Sequence, residues 1–312
     1  METGAAIKRT LAFFDIFKHS LTNFELYQWL FSREKMELPD IIKAPKQSEI
    51  QEANGFFFLS SNPPDFYLRR QDRAISNDRK FVIARRAAQL ISFVPFVRLV
   101  AICNTLSFEA AEKDSDIDFF IITRRGRIWL TRFLVSAILS VFNLRRHGYS
   151  VTDKICLSFF ISDDNLNLKK VSLPVDSQGR PDIYLIYWLA SLAPLINRSG
   201  ALEKFWQAND WAFEYLANFE FGGKIKNFYE INIFSPAEKS RYLLERRLGG
   251  GTGDKLELFF KKIQLFKILR HKQSQYFAQG TAVVVNDSML KFHEEDRRDF
   301  FRNKWAGYEQ AG

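Results

Sequence analysis

Two carboxylates, Asp116 and Asp118, stand one residue apart in Ser115-Asp116-Ile117-Asp118, directly ahead of the apolar run Phe119-Phe120-Ile121-Ile122. In an extended chain every second side chain returns to the same face, about 6.6 Å further along. Both carboxylates therefore share one face of a strand, while Ile117 points into a core. Two such charges repel each other and lose hydration, a cost that a divalent cation relieves. A pair of this kind at the start of a buried strand suits Mg²⁺ shared with the phosphates of a substrate.

Such a pair needs a sheet to hold it. Residues 97–102, 119–123 and 155–161 are β-branched, aromatic and apolar, and they read as buried strands. Residues 127–144 read as a helix, so the order β–loop–β–α–β predicts an α/β core. Ahead of it, residues 69–90 form a basic helix. From Asp182 onward the pattern is mostly helical, with helices over 183–196, 201–216, 236–248 and 255–279. The glycine run 249–253 reads as a linker, 282–285 as a short strand and 289–305 as a charged helix. The first 75 residues hold a short helix at 11–17 and a second opened by a capping box, with Thr22 as N-cap and Glu25 at N3. A third amphipathic stretch, 48–53, leads through Asn54-Gly55 into the strand 56–59, and Pro63-Pro64 closes the unit.

The central stretch resembles the DNA polymerase β-like nucleotidyltransferase superfamily. That family's signature is an apolar strand ending in Gly-Ser, a short spacer, then Ser-Asp-Ile/Val-Asp followed by apolar residues. Here Leu99-Val100-Ala101-Ile102-Cys103-Asn104-Thr105 is followed by ten residues and then Asp116-Ile117-Asp118, with Ser115 just before the pair. The match covers about residues 99–161. The resemblance implies that Asp116 and Asp118 hold Mg²⁺ or Mn²⁺ bridging the triphosphate of a nucleoside triphosphate. It implies that Thr105 takes the place of the serine that bonds the phosphates. The turn from Asn104 to Ser107 and the neighbouring Ser115 complete the nucleotide-binding set. The implied reaction is in-line attack of an acceptor hydroxyl on the α-phosphate, with pyrophosphate leaving.

Two departures from the pattern stand out. Asn104-Thr105 replaces Gly-Ser, which keeps the hydroxyl and loses the freedom of glycine. The third carboxylate of the family aligns with Cys156 in Ile155-Cys156-Leu157-Ser158-Phe159, and a thiol is no oxygen ligand for Mg²⁺. Asp153, or Asp163 and Asp164 beyond the strand, are the candidates to replace it. Separately, residues 9–70 resemble a winged helix-turn-helix in element order. That implies either docking on nucleic acid or a protein-contact module, and the loop 35–46 offers Lys35, Lys43 and Lys46 as phosphate contacts.

Composition narrows the classes. The 312 residues carry 45 Lys+Arg against 36 Asp+Glu, a net charge of +9, which is too evenly mixed for a disordered basic tail. Two cysteines, four histidines and no CxxC or HExxH spacing argue against a disulfide framework or a zinc motif and suit a reducing cytoplasm. No apolar leader segment is expected within residues 1–10. The apolar runs 183–196 and 133–144 fall short of the ~20 residues of a membrane span.

Other polar clusters read mainly as solvated faces or core: Arg124, Arg125, Arg127 and Arg132; Arg145-Arg146-His147 at a helix end; Asn209-Asp210-Trp211; and the aromatics 184–188. His293 and Asp296 are candidates to line the cleft, and Lys8 and Lys18 are solvated charge. The expected architecture is a winged-helix-like unit (1–75), a small mixed-sheet nucleotidyltransferase core (76–175) and a helical C-terminal region (176–312). The expected activity is transfer of a nucleoside monophosphate to an acceptor hydroxyl, an RNA or tRNA-like end ahead of a small molecule or protein, with no membrane association. The alternative is a catalytically degenerate fold that binds nucleotide or nucleic acid as a regulator.

Overall fold

The computed structural model describes every residue except 1, 45–47, 221–228, 272–280, 293–295 and 311–312. The first helix, α1 (Glu2–Asp15), is longer than the expected segment and buries Leu11, Ala12, Phe13 and Phe14. The two-residue strand β1 (Leu21–Thr22) runs into α2 (Asn23–Gln28). Thr22 Oγ1 accepts the Glu25 amide at 3.3 Å, and the Glu25 carboxylate accepts the Thr22 amide at 2.9 Å. This is the reciprocal cap that the sequence predicts. The loop that carries Lys35 and Lys43 contains a further helix, α3 (Leu38–Lys43), with Pro39 in its first turn, where the missing N–H has no helical partner to lose.

The amphipathic stretch 48–53 contains a strand over its last four residues. β2 (Ile50–Ala53) pairs antiparallel with β3 (Phe56–Leu59), and the small sheet runs β1-β3-β2. Asn54 and Gly55 both take positive φ, 51° and 78°, the turn that joins two strands with matching twist. That turn decides the conformation of both its flanks. The long helix α4 (Leu68–Ile91) then crosses residue 75, so the boundary expected there falls inside one helix.

The central elements lie where the sequence places them: β4 (Val97–Ile102), β5 (Ile117–Thr123), α5 (Ile128–Val141) and β6 (Ile155–Ser162). β4 and β5 are antiparallel, and α5 carries the chain over to β6, which lies parallel to β5. Val100, Ile102, Ile117, Phe119 and Ile121 of β4 and β5 are wholly buried, as are Leu99, Ala101, Phe120 and Ile122 on the other face. A sheet covered on both sides explains the unbroken apolar runs.

Downstream, four expectations change. The apolar run 183–196 divides into α6 (Ile183–Ser191) and a strand, β7 (Ala193–Asn197), at the edge beside β4. Pro194 sits at an irregularity in that pairing, where an edge strand tolerates a residue without N–H. The run 201–216 divides into α7 (Ala201–Ala208) and α8 (Asp210–Phe213). Between them, the Asn209 side chain accepts the Leu168 amide and donates to the Leu166 and Phe205 carbonyls, all at 2.8 Å.

Helices α9 (Ser235–Leu248) and α10 (Gly251–His271) are separated by Gly249 and Gly250 alone, so the glycine run is a corner rather than a linker. A Cβ on Gly253 would lie 1.8 Å from the Leu248 carbonyl oxygen, so only glycine lets the helices meet this closely. Residues 272–279 of the expected helix lie outside the described residues.

Finally, the first part of 289–305 is a strand. β8 (Val283–Val285) and β9 (Met289–Phe292) form a hairpin, β9 pairs with β6, and α11 (Arg298–Gln310) follows. The Asn286 side chain fixes that turn by accepting the Ser288 and Met289 amides at 2.9 and 2.7 Å. The large sheet runs β7-β4-β5-β6-β9-β8, with β5/β6 as its one parallel pair among the described residues. The fold is mixed α/β, and among the described residues no helix is long and apolar enough to cross a membrane. α1, α6 and α11 share one apolar cluster: Phe13 stacks on Tyr187 at 4.1 Å, and Trp305 Nε1 donates to the Arg9 carbonyl at 2.9 Å.

Candidate functional site

The site grows from the register of three neighbouring strands. Ile102 lies opposite Phe119 on β4/β5, and Asp118 lies beside Cys156 on β5/β6. Cys103 continues β4 and donates its backbone N–H to the Asp118 carbonyl at 3.1 Å, which anchors the strand just where the carboxylates emerge. The ligand atoms of Asp116, Asp118 and Cys156 lie within 4.8 Å of one another, the only such group among the described residues.

Each member of the cluster has a distinct environment. Loss of water around Asp118, together with the nearby Asp116 charge, pushes its carboxyl up to about 6. Asn104 Nδ2 donates to Asp118 Oδ2 at 2.7 Å, and Tyr184 Oη donates to Asn104 Oδ1 at 3.1 Å, so a three-residue chain aims the carboxylate. Asn104 holds φ at 59°, a conformation that asparagine takes more readily than most residues and that glycine would adopt freely. Its side-chain amide in turn positions Asp118. Asp116 meets a different partner, accepting from the Arg146 guanidinium at 2.5 Å. Burial, and then the two carboxylates, push the Cys156 thiol up to about 12.

Thr105 is the second residue of the 3₁₀ turn Asn104–Phe108 and lines the cavity beside Asp118. Ser107 is committed within the fold, its hydroxyl donating to the Asn104 carbonyl at 2.7 Å and lying 2.9 Å from the Ser191 hydroxyl. Ser115 donates to the Asp116 carbonyl at 3.2 Å, while its own carbonyl accepts Lys80 Nζ at 2.6 Å. Neither serine is among the residues that line this cavity.

Asp153 is not a third member of the cluster. It accepts from the fully buried Lys80 ammonium at 2.9 Å and pairs with Arg79 at 3.0 Å. Its charge is spent on holding the loop against α4. Asp163 and Asp164 sit past the far end of β6, bound to the Arg125 amide and side chain at 2.8 and 3.1 Å. Arg124 and Arg125 share that end, about 20 Å along β5 from the carboxylates, too far for one triphosphate. Arg127 is tied to Asp254 at 2.7 Å, and Arg132 to Gln264 at 2.7 Å.

Arg145-Arg146-His147 does not end a helix. α5 stops at Val141, and the Arg146 amide donates to the Ile155 carbonyl at 3.0 Å, which carries the guanidinium to Asp116. Asn209 is structural, as described above, and Tyr187 is core, its hydroxyl donating to the Trp29 carbonyl at 2.9 Å. Lys8 pairs with Glu49 at 3.0 Å and Lys35 with Glu220 at 3.6 Å. His293 and Lys46 lie outside the described residues. Asp296 does line the cavity, bonded to Arg298 Nε at 2.8 Å.

That cavity holds about 480 Å³ and opens onto Asp118 and Thr105. Phe17, Tyr184, Trp188 and Phe301 give it aromatic walls, with Tyr184 and Phe301 stacked at 4.7 Å. Lys291, Arg297 and Lys304 bring positive charge to the same space. Burial and the neighbouring Arg298 lower Lys291 to about 8. The cationic wall comes from β9 and α11, whose placement beside the carboxylates depends on long-range pairing. The sequence signals only its charge density.

Arg146 neutralises Asp116 from a half-exposed position, so its contribution is modest and competes directly with any cation that binds the pair. Arg146→Gln is expected to tighten Mn²⁺ binding about fivefold, equivalent to about 1 kcal/mol. Calorimetric titration of both proteins checks this, and unchanged affinity would show that Arg146 does not compete. Comparison with family models, curated proteins and solved structures finds no match for this chain.

Proposed function

We propose that this protein is a metal-dependent nucleotidyltransferase that moves a nucleoside monophosphate from a nucleoside triphosphate to an acceptor hydroxyl. The observation that carries this reading is the carboxylate pair itself: Asp118 lines a cavity with aromatic and cationic walls, and Asp116 lies beside it in the same ligand cluster. The β–loop–β–α–β order and the Ser-Asp-Ile-Asp strand that resemble the polymerase β-like superfamily support it. The two carboxylates fit Mg²⁺ or Mn²⁺, ions usually held by one or two carboxylates plus substrate phosphates. When bound, such an ion offsets phosphate charge and activates the attacking hydroxyl.

The protein's own groups do the rest. Asn104 and Tyr184 keep Asp118 aimed. The Thr105 hydroxyl lies at the cavity wall within reach of phosphate oxygens. Lys291, Arg297 and Lys304 supply countercharge, and Tyr184, Trp188 and Phe301 offer faces for a base. The net charge of +9 makes an RNA end the first acceptor to test. The N-terminal unit supports this in its element order α1-β1-α2-α3-β2-β3, which fits a winged helix. Its α3, with Asp40 beside Lys43, brings little net charge to a phosphate backbone.

One observation favours a second reading, nucleotide binding without transfer. Cys156 stands beside Asp118 where the family places a third carboxylate, and a thiol pushed up to about 12 does not accept a proton from a hydroxyl at neutral pH. Incubation with each α-labelled nucleoside triphosphate, Mg²⁺ or Mn²⁺ and total RNA separates the two. Label transfer that disappears in Asp116→Ala/Asp118→Ala supports the enzyme. Calorimetric binding of the triphosphate without turnover supports the second reading, and absence of both contradicts each.

A further inference from the structure

A softer ligand set than Mg²⁺ requires is built into the same strands. Asp118 and Cys156 are register partners in a parallel pair, so their side chains leave the sheet on one face, and Asp116 joins them from the start of β5. Two carboxylate oxygens and one sulfur lie within 4.8 Å of one another. A tetrahedral zinc ion with one sulfur at about 2.3 Å and oxygens at about 2.0 Å places such atoms about 3.5 Å apart. Binding would draw the ligand atoms together by up to about 1.3 Å.

A second observation points to a cation at this spot. The Arg146 guanidinium already occupies it, 2.5 Å from Asp116 Oδ2 and 4.0 Å from Cys156 Sγ. The cluster thus already accommodates positive charge between oxygen and sulfur, and the side chain that supplies it is half-exposed.

We propose that Asp116, Asp118 and Cys156 form a three-ligand site for a thiophilic divalent cation of the Zn²⁺ type, which excludes Mg²⁺ when bound. The inference rests on the reading of the carboxylate pair as metal ligands and adds the sulfur as the element that sets metal preference. Thiolate ligands select zinc-like ions, whereas magnesium takes oxygen donors. Binding releases the Cys156 proton to water and moves Arg146 off Asp116. Three protein ligands leave one position open, the arrangement of an accessible site rather than a closed structural one. By occupying both carboxylates, the soft ion holds the nucleotide site in an inactive form.

Cobalt(II) added to the metal-free full-length protein tests this, because a cobalt–thiolate bond gives a charge-transfer band in the near ultraviolet. The band is expected in the wild type, absent in Cys156→Ser, bleached by equimolar Zn²⁺ and untouched by a large excess of Mg²⁺. Cys156→Asp is expected to lose the band and gain Mg²⁺ affinity. Alkylation of Cys156, followed by mass spectrometry, gives a second reading: Zn²⁺ protects it and Mg²⁺ does not. No band in the wild type, a band that survives Cys156→Ser, or alkylation indifferent to Zn²⁺ would overturn the inference. Nucleotide transfer with Mg²⁺ but no cobalt band would sink this inference alone. A cobalt band without any transfer or triphosphate binding would retain it and remove the nucleotidyltransferase reading.

Discussion

Asp118→Asn is expected to reduce nucleotide transfer about 10³-fold or more while leaving the fold at least as stable as before. A metal held by carboxylates supplies several kcal/mol of charge stabilisation in the transition state, and each 1.36 kcal/mol is tenfold in rate. Asparagine keeps the shape of the side chain, and its amide oxygen still accepts the 2.7 Å bond from Asn104 Nδ2. What it loses is the charge, and that charge is unfavourable in the folded protein without metal. Burial and Asp116 raise the folded carboxyl from 3.8 to about 6, so the folded state binds this proton more tightly than the unfolded one. The sign follows: the group's favourable contribution is complete below about pH 4 and is lost as pH rises through about 6. At neutral pH the asparagine variant escapes that loss, so its melting temperature should not fall. Thermal unfolding beside the transfer assay checks both halves. A variant that loses activity because it melts earlier would contradict this account of Asp118.

The second large effect is on stability. Lys80 has no exposed side-chain surface, and its ammonium group donates to the Lys113 carbonyl at 3.0 Å, the Ser115 carbonyl at 2.6 Å and Asp153 Oδ1 at 2.9 Å. This one side chain ties α4 to the residues just ahead of Asp116 and to the loop that precedes β6. Asp153 holds φ at 59°, and its amide donates to the Ser115 carbonyl at 3.2 Å. Asparagine tolerates that backbone conformation, so Asp153→Asn removes the charge without adding strain. The buried ammonium then faces neutral oxygens alone, and removing one partner of a buried pair costs about 3 kcal/mol or more. Urea unfolding should show that loss. The double variant Lys80→Met/Asp153→Asn should cost less than the two single changes added together. Strict additivity would mean that the pair is not coupled.

How much of this was legible in the sequence follows from where each signal resides. The strands β4, β5 and β6 were readable because a sheet covered on both faces writes continuous β-branched and aromatic runs, and the period of two alone puts Asp116 and Asp118 on one face. The position of Cys156 beside Asp118 was visible as an alignment of motif to strand, and the register agrees with it. The cap at Thr22 was visible because its partners lie three residues apart.

The failures share a cause. Residues 183–196 are apolar throughout, so periodicity cannot tell the end of α6 from the start of β7, and only pairing with β4 settles it. β9 was hidden in the same way, because its strand identity comes from β6, more than a hundred residues earlier in the chain. Asp153 looked like a spare acid because its neighbours Lys80 and Arg79 are distant in sequence. Arg146 looked like a helix terminus because the bond from its amide to the Ile155 carbonyl is invisible locally. Local chemistry marked the carboxylates, and long-range topology chose their partners.

The most direct test of the central claim is a crystal structure of the protein with Mn²⁺ and a non-hydrolysable nucleoside triphosphate, read by the anomalous signal of manganese. A manganese peak is expected about 2.1 Å from carboxylate oxygens of both Asp116 and Asp118. The triphosphate should lie against that ion, the base in the cavity beside Tyr184, and the Arg146 guanidinium away from Asp116. A structure grown under those conditions with Arg146 still bonded to Asp116, and with no manganese at the carboxylate pair, would contradict it.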